Sequence, residues 1–328
     1  VNTDSQPLTL APSGLDDLRR SLAVAHAQRR RVASVELSSI NRLVEHTAED
    51  LTATVEAGMT LAEFQSRLAT RQQWLPLDPP HAHTTTLGEI LSQNLSGPRR
   101  FGFGTIRERL LGVAVVRADG RLIRGGGKVV KNVAGYDLCK LFVGSRGSLG
   151  VIVEATFKLN PLPESEKFVQ ARAADATELA ALLRAVNESG VAPVVLDAHN
   201  LDTAAPANEL RAANHFTVVV GFSGASEDVA AQCETLARLG LRETTTLDYE
   251  NIFWSSNTAD VKRWSVLPSR LAECAARLGG APFVARAGNG LICYRGGPDA
   301  PRASLPIELM RRLKNEFDPA SIFPDFQT

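Results

Sequence analysis

The sequence is short of the features that assign a protein quickly. Its 36 basic and 36 acidic residues cancel, which removes the electrostatic footprint of a general nucleic-acid or membrane-surface binder. Four cysteines, Cys139, Cys233, Cys274 and Cys293, are widely spaced and form no Cys-x-x-Cys pair. That spacing argues against a sequence-local zinc site and a disulfide scaffold, and leaves free thiols in a reducing, cytoplasmic setting as the expectation. No apolar run is long enough to span a bilayer, and the opening stretch lacks the basic-then-apolar pattern of a signal segment. Membrane association is then expected only through partner subunits. Solenoid-length repeats and low-complexity tracts are absent too. Glycine itself is missing from a long early span, with none between Gly14 and Gly58.

What is present has the balance of a soluble globular protein, with 44% hydrophobic and 22% charged residues, and 328 residues are enough for two cores. Glycine concentrates between Gly97 and Gly150. Repeated glycines between apolar runs let main chain approach a bulky polar ligand, and a dinucleotide suits such a wall. Val113 to Arg117 and Arg121 to Arg124 flank Ala118-Asp119-Gly120, a hairpin signal. The cluster Gly144-Ser145-Arg146-Gly147-Ser148-Leu149-Gly150 runs directly into a strand from Val151 to Leu159. Strict alternation would put Val151, Val153, Ala155, Phe157 and Leu159 on one face of it. Lys128 follows three glycines, but no Ser or Thr follows it and the glycine spacing is wrong for a nucleoside triphosphate loop.

The segments SGPRRFGFGTIRERLLGVAVVRADGRL, GGKVVKNVAGYDLCKLF and GSRGSLGVIVEATFKLNPLPE together resemble the FAD-binding subunits of bacterial glycolate oxidase, flavoproteins of the vanillyl-alcohol-oxidase type. INRLVEH, LTATVEAG and LPLDPPHA extend the likeness upstream, and RAGNG and LKNEFDPASIF extend it downstream. The resemblance implies an α+β protein: a PCMH-type FAD-binding domain over residues 1–162, then a ferredoxin-like antiparallel cap domain over 163–328. It implies noncovalent FAD, since no histidine or cysteine stands where a covalent flavin link would be expected. It also implies a small 2-hydroxy acid substrate, and partners in the form of a second flavoprotein subunit and an iron–sulfur subunit. By position, the cofactor-binding residues carried over are Thr84, Asn94, Ser96, Gly97, Gly104, Gly144, Ser145, Gly147, Ser148, Gly150 and Ile152. Relatives cradle the FAD pyrophosphate in a glycine-rich loop between two early strands, and the gap from Gly14 to Gly58 means that this loop is deleted here. Each charge-assisted hydrogen bond lost with it is worth roughly 1.5–3 kcal/mol, so two or three would cost several orders of magnitude in affinity.

Taken in order, the chain predicts a helix from Leu15 to Gln28 behind a Ser13–Asp16 capping box, with strands at Val32–Leu37 and Leu51–Glu56. A helix capped by Thr60 follows, and the Thr84–Thr86 stretch reads either as a flavin-side segment or as a capped helix start. Where many relatives carry a second glycine this chain has Glu89. Pro161 and Pro163 mark a boundary. Beyond it, two strand–helix–strand units predict a sheet with helices on one face, and the last helix is expected at Pro306–Phe317.

No catalytic base emerges. Related catalytic subunits carry a histidine where this chain reads Arg286, a permanent cation and a partner for a carboxylate, internal or from substrate. Asp78, His199 and Tyr249 stand isolated, and His81 with His83 lacks the further ligands of a metal site. The alternatives to a redox subunit are a structural subunit that kept the fold without the cofactor and a stand-alone 2-hydroxy-acid oxidase.

Overall fold

The computed structural model describes residues 6–127, 138–205, 209–244, 247–255, 260–301 and 306–326. The Lys128 reading, with segment 128–137, lies outside these residues. The chain forms two compact units, the first comprising Val1–Ser96, Thr105–Leu162 and Ser304–Thr328 and the second Gly97–Gly104 and Pro163–Ala303. The carboxy-terminal stretch therefore folds with the first unit, whereas a single division after residue 162 would have assigned it to the second.

In the first unit, β1 (Leu8–Leu10) and β2 (Val32–Val35) pair in parallel around α1 (Leu15–Ala27). α1 starts at Gly14 with no side-chain cap, and the Ser13 hydroxyl and amide instead donate to Asp17, one residue beyond the expected partner. β3 (Leu43–Thr47), β4 (Thr52–Glu56), β6 (Leu110–Val116), β7 (Leu122–Gly126) and β8 (Val151–Lys158) build an antiparallel five-stranded sheet in the order β3-β4-β8-β6-β7. The expected hairpin joins β6 to β7, with Gly120 at φ +79°.

One face of this sheet carries Val55, Val113, Val115, Ala155 and Phe157. Against it pack α2 (Leu61–Ala69), α3 (Leu87–Gln93) and α6 (Leu138–Phe142), with β5 (Gln73–Trp74), α5 (Ile106–Arg109) and β9 (Asn160–Pro161) at the periphery. The other face, with Ala114, Val116 and Val153, is covered by Leu18, Leu22 and Ala25 of α1 and by Ile322 and Phe323. Simple alternation along β8 fails. An irregularity opposite Ala114/Val115 shifts the register, so Ile152 joins Ala155 and Phe157 on one face while Val153 turns to the other. An extra residue in a strand reverses the side to which its neighbours point.

The second unit contains α4 (Arg100–Phe103), β10 (Ser165–Ala173), α7 (Ala176–Glu188), β11 (Val195–Leu201), β12 (Ala212–Gly224), α8 (Ser226–Ala237) and β13 (Arg242–Thr244). These four strands lie in the order β13-β10-β12-β11, all antiparallel, which is the ferredoxin-like arrangement. β15 (Phe283–Arg286), β16 (Leu291–Arg295) and β14 (Val261–Ser265) extend it to seven strands. α7, α8 and α10 (Leu271–Ala276) cover one face through Leu179, Val229 and Leu271. α9 (Asp248–Trp254) covers part of the opposite face through Tyr249, Phe253 and Trp254, so the helices are not confined to one side as expected. α11 (Ile307–Phe317) returns to the first unit.

Candidate functional site

The first unit holds a cleft of about 640 Å³, within the range of small-molecule and cofactor sites. Five separated segments wall it: Val32–Ser38, the α3 approach with Thr84, Thr86, Gly88, Glu89 and Ser92, the turn Arg146–Ile152, Phe323 with Pro324, and Gly58 with Thr60. The first wall is β2 and the short link to β3. This link lies directly on Gly58, whose amide donates to the Ile40 carbonyl at 2.8 Å. A Cβ at Gly58 would stand 1.9 Å from the Leu37 carbonyl oxygen, so only glycine admits the link in this position. The second wall begins with a complete capping box: Thr86 Oγ1 accepts the Glu89 amide at 3.2 Å, and the Glu89 carboxylate accepts the Thr86 amide at 2.9 Å. Glu89 thus has a local task at the position where the resemblance would place a glycine.

Of the eleven cofactor residues expected from the sequence, Thr84, Gly147, Gly150 and Ile152 line this cleft together. Gly147 has φ +74° and open space where a Cβ would stand. Ser145 and Ser148 belong to the same turn, closed by Ser148 Oγ donating to the Ser145 carbonyl at 2.5 Å. Gly144 donates its amide to the Leu91 carbonyl at 2.9 Å. Asn94 ends α3 in the left-handed conformation at φ 52°. Asn94, Ser96, Gly144, Ser145 and Ser148 are not part of the cleft lining, and Gly97 and Gly104 belong to the second unit.

The residues present fit a dinucleotide cofactor along one side. Asn94 Oδ1 and Ser145 Oγ are buried without a hydrogen-bond partner, a costly state for protein polar atoms unless a ligand or water completes them. They flank Gly144, where a Cβ would come within 3.6 Å of the Asn94 side chain. The link from β2 to β3 departs from that fit. It offers no glycine-rich loop, and its Glu36 and the capping Glu89 bring two carboxylates to the lining alongside Arg146. Sequence reasoning missed Glu36, Phe323 and Pro324, because segments nearly 300 residues apart converge here.

A second concentration of ionisable groups lies on the α9 face of the other sheet. Asp197 Oδ2 accepts from Arg286 at 2.6 Å and from the Tyr249 hydroxyl at 2.8 Å, while both Glu250 oxygens accept from Arg286 at 2.7 Å. His199 stacks on Tyr249 with ring centroids 4.7 Å apart. Burial and, after Arg286 pulls the other way, the nearby Glu250 push the Asp197 carboxyl up to about 7. Burial, helped by His215, pulls the His199 imidazole down to about 3. Burial disfavours charge on Arg286, but Asp197 and Glu250 outweigh it and hold the guanidinium charged. Arg286 is therefore occupied by internal carboxylates. Asp197 and His199 point to the same side of β11 by their i, i+2 spacing, and that was the available signal.

All four cysteines are free and buried. Among the described residues, no helix is long and apolar enough to cross a membrane.

Comparison with known proteins agrees with this geometry. Residues 10–126 match the model of an FAD binding domain. A stretch of 128 residues is 41% identical to "Glycolate oxidase subunit GlcD" of Bacillus subtilis, covering 39% of this chain and 27% of that protein. Another of 124 residues is 39% identical to "Glycolate oxidase subunit GlcE" of Escherichia coli, covering 38% of this chain and 35% of the relative. A "D-2-hydroxyglutarate dehydrogenase" of Xanthomonas citri is 35% identical over 162 residues, 49% of this chain and 33% of its own length. The matched stretches thus span only about a quarter to a third of these relatives. The fold is shared with an alkyldihydroxyacetonephosphate synthase structure at TM-score 0.71 and 15% identity, over 97% of this chain and 77% of that one. Residues 10–126, most of them in the first unit, accordingly carry a likeness to the FAD binding domain family, within a chain whose α+β fold is of the PCMH type.

Proposed function

We propose that this chain is an FAD-binding subunit of a glycolate oxidase-type complex that oxidises a small 2-hydroxy acid to the 2-oxo acid. The observation that carries the reading is the pairing of the cleft with the buried, unpartnered Asn94 Oδ1 and Ser145 Oγ beside its glycine turn. Thr84, Ser92, Gly147 and Gly150 would hold the cofactor, through hydroxyls and through main chain that glycine leaves uncovered. When bound, FAD would supply a two-electron carrier for the electrons taken from the substrate. The chain's own residues bind and orient it and exclude water on the Phe323 and Pro324 side. Arg286 is engaged internally, so substrate recognition and the proton-accepting base are assigned to a second flavoprotein subunit, with an iron–sulfur subunit taking electrons onward. The setting is cytoplasmic, with any membrane attachment made through those partners.

A second reading, a structural subunit without cofactor, is favoured by the glycine-free β2–β3 link and by Glu36 and Glu89 in the lining. The visible absorption spectrum of the purified chain, before and after FAD addition and desalting, separates the two. Flavin bands at near one FAD per chain support the redox subunit. A folded chain that binds its partners yet retains no flavin overturns it. Turnover of a 2-hydroxy acid by the isolated chain would instead make it a stand-alone oxidase.

A further inference from the structure

Lys314 is a lysine in a place where lysine is costly. Its side chain is 6% exposed, and its ammonium donates to the Asp318 carboxylate at 2.7 Å, the Ser148 carbonyl at 2.9 Å and the Phe323 and Pro324 carbonyls at 3.0 Å each. Asp318, fully buried, accepts the amides of Ile322 at 3.0 Å and Phe323 at 2.9 Å. Burying an ammonium requires pairing and full hydrogen bonding. An apolar side chain would fill the same space at no such cost, so packing alone does not account for it.

Three of the four acceptors explain its presence. Ser148 belongs to the turn whose neighbours Arg146, Gly147 and Gly150 line the cleft, and Phe323 and Pro324 line it from the carboxy-terminal segment. One ammonium therefore joins two walls that are more than 170 residues apart in the chain. Lys314 is the one buried residue of α11, while Ile307 and Leu309 of the same helix are exposed. The helix is tied down further by Phe317, edge-on to Phe142 at 5.6 Å, and by Arg117 donating to the Glu316 carbonyl at 2.8 Å. The segment beyond it is fixed by the Val32 amide donating to the Ile322 carbonyl at 2.7 Å.

We propose that Lys314 is a positioning residue for the cofactor: with Asp318 it latches the carboxy-terminal segment to the Ser145–Gly150 turn, setting the width of the cleft and the direction of the turn's main-chain groups. This rests on the FAD reading above for its ligand, but not for the latch itself. A latch of this kind stiffens a turn whose glycines would otherwise sample many conformations, and preorganisation of a binding wall appears as affinity.

The test uses the full chain carrying Lys314→Met, Lys314→Arg and the double change Lys314→Met/Asp318→Leu, which removes both buried charges. Two quantities are read at a temperature where circular dichroism shows each variant folded. The first is amide exchange over residues 143–150 without ligand, and the second is the FAD dissociation constant from flavin fluorescence. The latch predicts that Lys314→Met speeds exchange in that segment at least tenfold, with β4 unchanged, and weakens FAD at least tenfold. Lys314→Arg should recover part of both. Should Lys314→Met fail to fold, the double variant carries the same expectations: recovered thermal stability without recovered protection or affinity. Unchanged exchange at 143–150, or a double variant that regains affinity together with stability, overturns the proposal. If the unaltered chain binds no FAD, the cofactor reading fails, while the exchange measurement still decides whether the latch exists.

Discussion

Asp197 and Arg286 meet at 2.6 Å with side chains 0% and 4% exposed, and Glu250 clamps the same guanidinium from α9. Removing one partner of a buried ion pair leaves an uncompensated charge at a cost of about 3–5 kcal/mol. Arg286→Ala should therefore lower the thermal midpoint by roughly 10 °C. Arg286→Lys should restore little of it, since an ammonium cannot reproduce the forked bonds to Glu250. An Arg286→Ala chain as heat-stable as the parent would return Arg286 to the list of groups available to substrate.

Asp197 and His199 give this sheet opposing responses to pH. Asp197 binds its proton more tightly folded, at about 7, than at its ordinary value of 3.8, so its stabilisation is full below that ordinary value and disappears as pH rises through 7. His199 is held neutral, at about 3 against an ordinary 6.5, so its share is present above 6.5 and disappears as pH falls toward 3. Between pH 4 and 6.5 the two slopes oppose each other. Thermal unfolding of Asp197→Asn should rise more steeply with pH than that of the parent across this window, and His199→Gln should fall with pH. Parallel curves for all three would contradict the assignment.

Gly58 is the point at which the β2–β3 link closes on the end of β4. Since a methyl there meets the Leu37 carbonyl at 1.9 Å, the main chain must move to admit it. Gly58→Ala should destabilise by about 1–3 kcal/mol and displace the Glu36–Ser38 wall. Calorimetry together with FAD titration would register both effects. A Gly58→Ala chain matching the parent in each would mean that the link tolerates repositioning.

Glu36 and Glu89 offer an anionic cofactor two like charges. The Glu36→Gln/Glu89→Gln chain should bind FAD more tightly, by roughly two- to fivefold at low salt, with the gain fading near 0.5 M salt. Glutamine at 89 still accepts the Thr86 amide, so the helix cap persists. Affinity unchanged at every ionic strength would place the cofactor's phosphates away from these two side chains.

Local signals in the sequence were dependable where one element explained them. The 3.6-residue pattern of Leu15, Leu18 and Leu22, the Thr60 cap and the Asp119-Gly120 turn each produced the expected element. Long-range decisions were less legible. Nothing local announces the register shift opposite Ala114/Val115, since it follows from pairing with another strand. α9 was missed because its seven residues show no repeated period, and its buried Tyr249 and Phe253 find their face only once β11 and β15 are in place. At the cleft, the glycine turn stood out by composition. Phe323 and Pro324 did not, because they reach the lining through Lys314, whose burial no sequence pattern marks.

The division of the first unit into three stretches has a consequence for synthesis. Phe323 and Pro324 leave the ribosome after the whole of the second unit, about 160 residues behind Leu162. At 5–20 residues per second that is a delay on the order of ten seconds. Throughout it the nascent sheet already exists with its Ile322 and Phe323 docking site bare, an exposed apolar seam for a chaperone to shield. Completion of the cleft in this way waits until the whole of the second unit has been made.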